Sequence, residues 1–245
     1  AVLLATGHNA VNGAIFAIDP ARYDTGFYQL RLTASDLSGR LGQAQIDIEL
    51  ASSQKQGQYS RSETDFSFTL SGHTLDFTRR YDSLDATTQG SFGYGWSWTL
   101  RDLRIETDVP MTGSEASGVY NPLRIGSRLY IDTPSGERLG FTFAPQQTSG
   151  KGYSYWTPAW VADESNGWLL KSIDIKLQKG ADRLYDLQTG EPYNPASLAS
   201  ERAQYQLITP DGTVYEISAQ RGITGIVYTD GVRLNVSDSG ITGLG

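Results

Sequence analysis

The chain has 245 residues, among them 27 Gly, 14 Tyr and 5 Trp, with no cysteine and a formal net charge of -7. That length can bury one large core, or a small domain beside a larger one, and abundant Gly and aromatics without long Ala/Leu/Glu/Lys runs are the profile of strands and turns. The absence of cysteine excludes disulfides, thiolate metal sites and cysteine nucleophiles, and 20 Lys+Arg against 27 Asp+Glu leave no broad basic surface for nucleic acid.

The opening Ala1-Val2-Leu3-Leu4-Ala5 is apolar, lacks basic residues and is too short for a leader or a membrane span, so no membrane insertion is expected from it. It reads as a buried strand of a chain cut from something longer. Ala14 to Asp19, Tyr28 to Ala34 and Ala44 to Leu50 alternate apolar and polar residues, the period of a strand with one buried face. Three strands are therefore expected before residue 51, the last two joined by the turn-rich stretch Ser35 to Gly42. The pattern from Gly26 to Gly39, GFYQLRLTASDLSG, resembles the final hairpin of immunoglobulin-like and cadherin-like modules. A sandwich of that kind takes about seven strands, so residues 1–50 are expected to be part of one. Residues 51–62 are polar and aperiodic and read as a linker, with a second domain over 63–245.

In that second part, Asp65 to Leu70 reads as a strand, Ser71-Gly72-His73 as a turn and Leu75 to Tyr81 as a strand with one buried face. A polar connection leads to Phe92-Gly93-Tyr94-Gly95-Trp96-Ser97-Trp98, where glycines between rings predict close approach and a bend. Leu100 to Thr107 is expected to continue as a strand. Ser127 to Phe143 and Ala203 to Ile217 each hold a Thr-Pro-Ser/Asp-Gly reversal between strands: proline fixes φ at the first turn position and glycine accepts positive φ. Ile226 to Val236 supplies an Asp-Gly version, and Ser237 to Gly240 begins what reads as another. Between the first two hairpins, Gln146 to Gly152 reads as a flexible loop, Trp168 to Leu177 as a strand or strand pair, and Asp182 to Ser200 as a surface loop.

Arg80-Tyr81-Asp82-Ser83, followed by Phe92-Gly93-Tyr94-Gly95-Trp96, resembles the opening block of the β-shell in the Rhs/YD-repeat family, and the Asp/Gly hairpins carry the resemblance over roughly Gly57 to Gly245. The resemblance implies a wall of twisted antiparallel hairpins that, in bacterial and insect-pathogen members, encloses a toxic C-terminal region, and that in the animal teneurins serves adhesion. It implies a structural, non-enzymatic segment of a secreted or cell-surface protein, most naturally bacterial. Its partner would be the remainder of the polypeptide or shell, and a piece in isolation would self-associate through an open β-edge. No cofactor and no metal are implied.

The candidate chemistries were weighed against this. His8 and His73 each sit in a turn-like context without HxH or HxxxH spacing, which favours structural or solvated roles. Asp163-Glu164, near three tryptophans, is the most tempting carboxylate pair for glycoside hydrolysis, though adjacent acids on a turn usually face solvent. Asp19 and Asp36 offer oxygen ligands for calcium without a dense acidic cluster. Tyr153, Tyr155, Trp156, Trp160 and Trp168 form the densest aromatic neighbourhood; exposed, such rings stack on a surface glycan, and buried, they plug one end of a shell, the reading that is favoured. Arg80 is expected to pair with Asp82 or a neighbouring carboxylate, and Asn235-Val236-Ser237 matches a glycosylation sequon. Together these readings give an all-β chain.

Overall fold

The computed structural model describes residues 3–8, 13–23, 26–50, 58–103, 105–150, 152–197 and 204–244. The fold is all-β, built from antiparallel sheets with short 3-10 turns between them. The chain divides into two compact units, Ala1–Gln58 and Tyr59–Gly245.

In the first unit, β1 (Gly26–Ser35) and β2 (Leu41–Leu50) pair over their whole length, from Gly26↔Leu50 to Ser35↔Leu41. The turn between them is closed by Asp36, whose Oδ1 accepts the N–H groups of Ser38 (2.8 Å) and Arg40 (2.9 Å) while its Oδ2 accepts Arg40 Nε (2.6 Å). Register places Tyr28, Leu30, Leu32, Ile46 and Ile48 on one face and Gln29, Arg31, Gln45 and Asp47 on the other. Leu32 and Ile46 are 52% and 60% exposed. The expected strand at Ala14–Asp19 is not one: these residues form no ladder, and Asp19 instead caps the 3-10 turn Pro20–Arg22 through the Ala21 N–H. Alternation marks a strand only where a neighbour supplies the hydrogen bonds. Leu3 to Ala5 are likewise not a strand and Leu3 is exposed, which corrects the buried opening strand as far as it is described; Ala1 and Val2 lie outside the described residues.

The second unit begins with β3 (Ser60–Leu70), β4 (His73–Asp82) and, after the small hairpin β5 (Gln89–Gly90) and β6 (Gly93–Tyr94), β7 (Trp96–Trp98), in the sheet order β3-β4-β7. β3 starts at Ser60, so Ser60 to Ser62 are ladder and not linker, paired to Asp82, Tyr81 and Arg80; residues 51–57 of that stretch lie outside the described residues. A bulge between Thr64 and Phe66 resets the register. Leu100 to Leu103 form a turn, not a strand, and only β8 (Ile105–Thr107) is ladder there. The TPSG reversal joins β9 (Arg128–Asp132) to β10 (Arg138–Phe143), in a four-stranded sheet with β8 and, beyond β10, β13 (Trp160–Ala162). A second four-stranded sheet runs β11-β12-β15-β16, where β11 is Gln146–Gly150, β12 Tyr153–Thr157, β15 Leu177–Gly180 and β16 Arg183–Asp186. Gln146 to Gly150 is thus a strand and not a flexible loop, because the register from Gln146↔Thr157 to Gly150↔Tyr153 satisfies its backbone.

The largest sheet has six strands in the order β14-β17-β18-β19-β20-β21, with β14 at Leu169–Ser172, β17 at Tyr205–Ile208, β18 at Val214–Ser218, β19 at Gly222–Val227, β20 at Arg233–Ser237 and β21 at Gly240–Leu244. Three reversals close alike. Gly136 N–H bonds Thr133 O (2.8 Å), Gly212 N–H bonds Thr209 O (3.0 Å) and Gly231 N–H bonds Tyr228 O (3.0 Å), with each glycine at φ between 87° and 92°, where a Cβ would be strained. Inward alternation in β9 and β10 sends Leu129, Ile131, Leu139 and Phe141 into a core shared with Leu207, Ile217, Ile223, Ile226 and Leu234 of the six-stranded sheet. A smaller core gathers Leu123, Phe143, Leu177, Leu184 and Tyr193. Asp182 to Ser197 is therefore no surface loop: Leu184 and Tyr193 are buried, and Asn194 Nδ2 donates to Asn121 O (3.0 Å). Residues 198–200 of it lie outside the described residues.

Candidate functional site

Alternation puts His73, Leu75, Phe77, Arg79 and Tyr81 of β4 on one face. Leu75 is buried in the larger core, and the face then runs outward through rings. Phe77 stacks on Phe66 (4.8 Å, 7°) and meets Trp98 at 5.1 Å and the edge of Phe92 at 5.7 Å. Tyr81 lies opposite Trp96 in the β4–β7 ladder with ring centroids 5.4 Å apart, and Tyr59 follows at 6.2 Å from Tyr81. Arg79 stands inside this array. Its guanidinium lies 5.3 Å from the Trp96 ring and 5.9 Å from that of Phe92, and it grips Asp65 with both Nε (2.6 Å) and Nη2 (2.7 Å). Asp65 is the bulged residue of β3, so the bulge turns a carboxylate toward the cation. The Arg79 hydrogen bonds hold the Asp65 carboxyl below the usual carboxylate range.

Of the two glycines between the rings, Gly95 permits the expected close approach and Gly93, whose Cβ would meet nothing within 4 Å, does not; Gly90, outside that stretch, is a second close approach. A Cβ on Gly90 would strike the carbonyl of Trp96, and one on Gly95, at φ +74°, would lie 2.7 Å from the Tyr81 ring. Gly93, at φ +106°, pairs with Gly90 across β5–β6, and Phe92 is the half-exposed ring against Phe77 and Arg79. On the opposite face of β4, Arg80 reaches the TPSG reversal, where a Cβ on Gly136 would lie 2.5 Å from its Nη1. Of the partners expected for Arg80, Asp82 forms no ion pair with it among the described residues. The Asp82 carboxylate accepts the Leu84 N–H (3.0 Å), capping a 3-10 turn. Ser83 and Tyr59 exchange two hydrogen bonds of 2.9 Å, Tyr59 N–H to Ser83 Oγ and Ser83 N–H to Tyr59 O.

Two anchors escaped the sequence reading. Arg101 is only 5% exposed; its Nη1 donates to Ile223 O (2.8 Å) and its Nη2 to Asp238 (2.7 Å), while its own carbonyl accepts the Ile223 N–H. It ties the turn after β7 to the six-stranded sheet. His73 Nε2 lies 2.9 Å from Asp230 Oδ2, and its ring stacks on Tyr228 at 3.5 Å, which ties the β3–β4 turn to the β19–β20 turn. Arg79 was not singled out either, the motif pointing to Arg80, although a cation in phase with an apolar face is a local signal; Arg101 has none, because nothing local marks a cation that another sheet will bury.

The second aromatic neighbourhood is divided. Trp160 packs between the two cores, 5.0 Å from Phe143 and 6.1 Å from Tyr205, and its Nε1 donates to Ser172 Oγ (3.0 Å). Trp168 packs on the larger core and Trp156 on the smaller one. Tyr155 and Tyr153 lie on the opposite face of β12 from Trp156. The five rings therefore form no single platform. Asp163 is gripped by Arg128, both carboxylate oxygens accepting from its guanidinium, so it does not act with Glu164 as a free pair. Arg128 and Arg138 flank the Tyr130 ring at 5.4 and 4.7 Å, beside a shallow pocket of about 150 Å³ that Asp163, Glu164 and Trp168 also line. His8 is exposed on a bend, Asp19 and Asp36 are used by their own turns, and among the described residues no three His, Asp or Glu gather as a metal site would require. Asn235 is half-buried in mid-strand, its Oδ1 accepting from Arg233 Nε (3.3 Å).

What gathers around Arg79 is rings, an ion-paired guanidinium and groups that close turns, a set suited to joining sheets. A family described as a domain of unknown function (DUF6531) matches residues 54–118, the stretch from β3 through β8 that contains this array. No curated protein matches the chain, and no solved structure does.

Proposed function

We propose that the chain is a structural segment of a larger, secreted or surface-exposed bacterial protein of the Rhs/YD-repeat kind, forming part of the wall of a β-shell that encloses or presents an effector. The observation that carries this reading is the serial order of the large sheet: β17, β18, β19, β20 and β21 are neighbours in space as in sequence, each added by a short reversal. Such a sheet grows by repetition, and among the described residues no strand pairs with the outer edge of β21, where a further hairpin would add. The Arg101 and His73 anchors support the same reading, as ties between the β3-β4-β7 sheet and that sheet. In the first unit, the wholly apolar face of β1–β2 supports assignment to part of an immunoglobulin-like sandwich, whose facing sheet would cover Leu32 and Ile46.

An open edge predicts self-association of this chain at high concentration. Light scattering behind size-exclusion chromatography is expected to show concentration-dependent dimers or larger species, reduced by Thr242→Lys, which sets a charge at an exposed position of the edge strand. A clean monomer at millimolar concentration, or association indifferent to that substitution, would count against the wall reading.

A further inference from the structure

The sheet β11-β12-β15-β16 packs Trp156, Leu177 and Leu184 into the smaller core with one face, so alternation turns Tyr153, Tyr155, Gln178, Arg183 and Tyr185 to the other. Tyr153 is 59% exposed, and its ring lies 6.0 Å from that of Tyr155, 19° from parallel. Lys176 extends its ammonium over Tyr155 at 4.9 Å. The Tyr185 ring lies 3.1 Å from where Gly180 would carry a Cβ, so the glycine lets it rest against the sheet. Thr148, opposite Tyr155 in the β11–β12 ladder, and Gln178 add a hydroxyl and an amide to the same face.

The charge on this face has the opposite sign to the chain, whose net charge is -7. Among the described residues neither Lys176 nor Arg183 has a carboxylate partner, and the outward positions of the four strands hold no Asp or Glu. Asp186 faces the other way and its Oδ1 is taken by the N–H groups of Gln188 (2.6 Å) and Thr189 (3.1 Å). Lys176 and Arg183 mark opposite ends of the β15–β16 hairpin, four residues apart along the strand, about 13 Å.

We propose that this face binds an acidic polysaccharide, its pyranose rings lying on Tyr153 and Tyr155, its hydroxyls meeting Gln178 and Thr148, and carboxylates on alternate or more widely spaced sugars meeting Lys176 and Arg183. Two cations set this far apart on an acidic protein match a polymer of sparse charge. They match a nucleic acid poorly, since it carries a phosphate at every nucleotide. The proposal stands independently of the wall reading.

The test is calorimetric titration of the chain with hyaluronan, unsulfated chondroitin and gellan octasaccharides, whose carboxylates fall on every second or fourth sugar, at low and high salt, with neutral cellohexaose and oligothymidine in parallel. At least one acidic octasaccharide is expected to bind more tightly than cellohexaose, and to weaken as salt rises. Tyr153→Ala should weaken that binding about tenfold; its ring is exposed, so the circular dichroism and Tm should stay as in the parent. Lys176→Gln combined with Arg183→Gln should remove the salt dependence, and Lys179→Gln, on the opposite face, should change nothing. Binding by none of the acidic octasaccharides, binding unchanged by Tyr153→Ala, or tighter binding of oligothymidine would each overturn the proposal.

Discussion

Arg79 stands where alternation calls for an apolar side chain, and its surroundings compensate: two rings and a bidentate carboxylate engage the guanidinium, which stays partly open to solvent. Gly95 combines φ +74° with the Tyr81 ring and the Asp82 carbonyl pressed against its missing Cβ. Gly95→Ala is therefore expected to cost about 2 kcal/mol or more, the left-handed penalty plus displacement of the ring. Thermal unfolding should register this as a fall of about 4–8 °C in Tm. An unchanged Tm would mean that Tyr81 moves aside freely and that the array is not a rigid joint.

At the scale of elements, the hairpins are closed by side-chain carboxylates as much as by backbone. Asp211 accepts from the hydroxyls of Thr209 and Thr213 across the TPDG reversal, and Asp230 accepts the Val232 N–H (3.0 Å) and meets His73. The Thr209 and Thr213 hydroxyls hold the Asp211 carboxyl below the usual range; for Asp230 the Val232 N–H is the main cause and His73 a lesser one. A carboxyl whose pKa is depressed on folding lends stability that is complete above its unfolded value, about 3.9, and is lost as pH falls through the lower folded value. Tm measured from pH 7 downward should thus hold steady until about pH 4 and then drop. Asp211→Asn should make the drop shallower, and an equally steep drop in that variant would remove Asp211 from the account.

At the scale of the molecule, the two units differ in what they can sustain alone. The second unit encloses both hydrophobic cores and the cross-sheet anchors of Arg101 and His73, whereas among the described residues the first has a single two-stranded hairpin, whose apolar face is exposed at Leu32 and Ile46. A two-stranded ribbon is marginal in water. A fragment spanning residues 59–245 is accordingly expected to unfold cooperatively with nearly the Tm of the whole chain, and one spanning 1–58 to show no cooperative transition. Circular dichroism melts of both fragments check this, and a 59–245 fragment that fails to fold would show that the first unit contributes to its stability.

The all-β class, the proline-glycine reversals and the closeness of Tyr81 to Trp96 were legible in the residues, because period-2 alternation, positive-φ glycine and ring-glycine spacing are local properties of the chain. Tertiary structure decided the rest. Ala14 to Asp19 alternates as cleanly as Tyr28 to Ala34, yet only the latter found a partner, and a strand exists only through its neighbour's hydrogen bonds. Gln146 to Gly150 reads as loop from its polar residues, yet it is a strand because β12 lies beside it. The same holds for the aromatic neighbourhood. Sequence proximity grouped five rings from Tyr153 to Trp168, but the sheet turned Trp156 inward and Tyr155 outward, since consecutive residues of a strand face opposite ways and which way is inside depends on where the core forms.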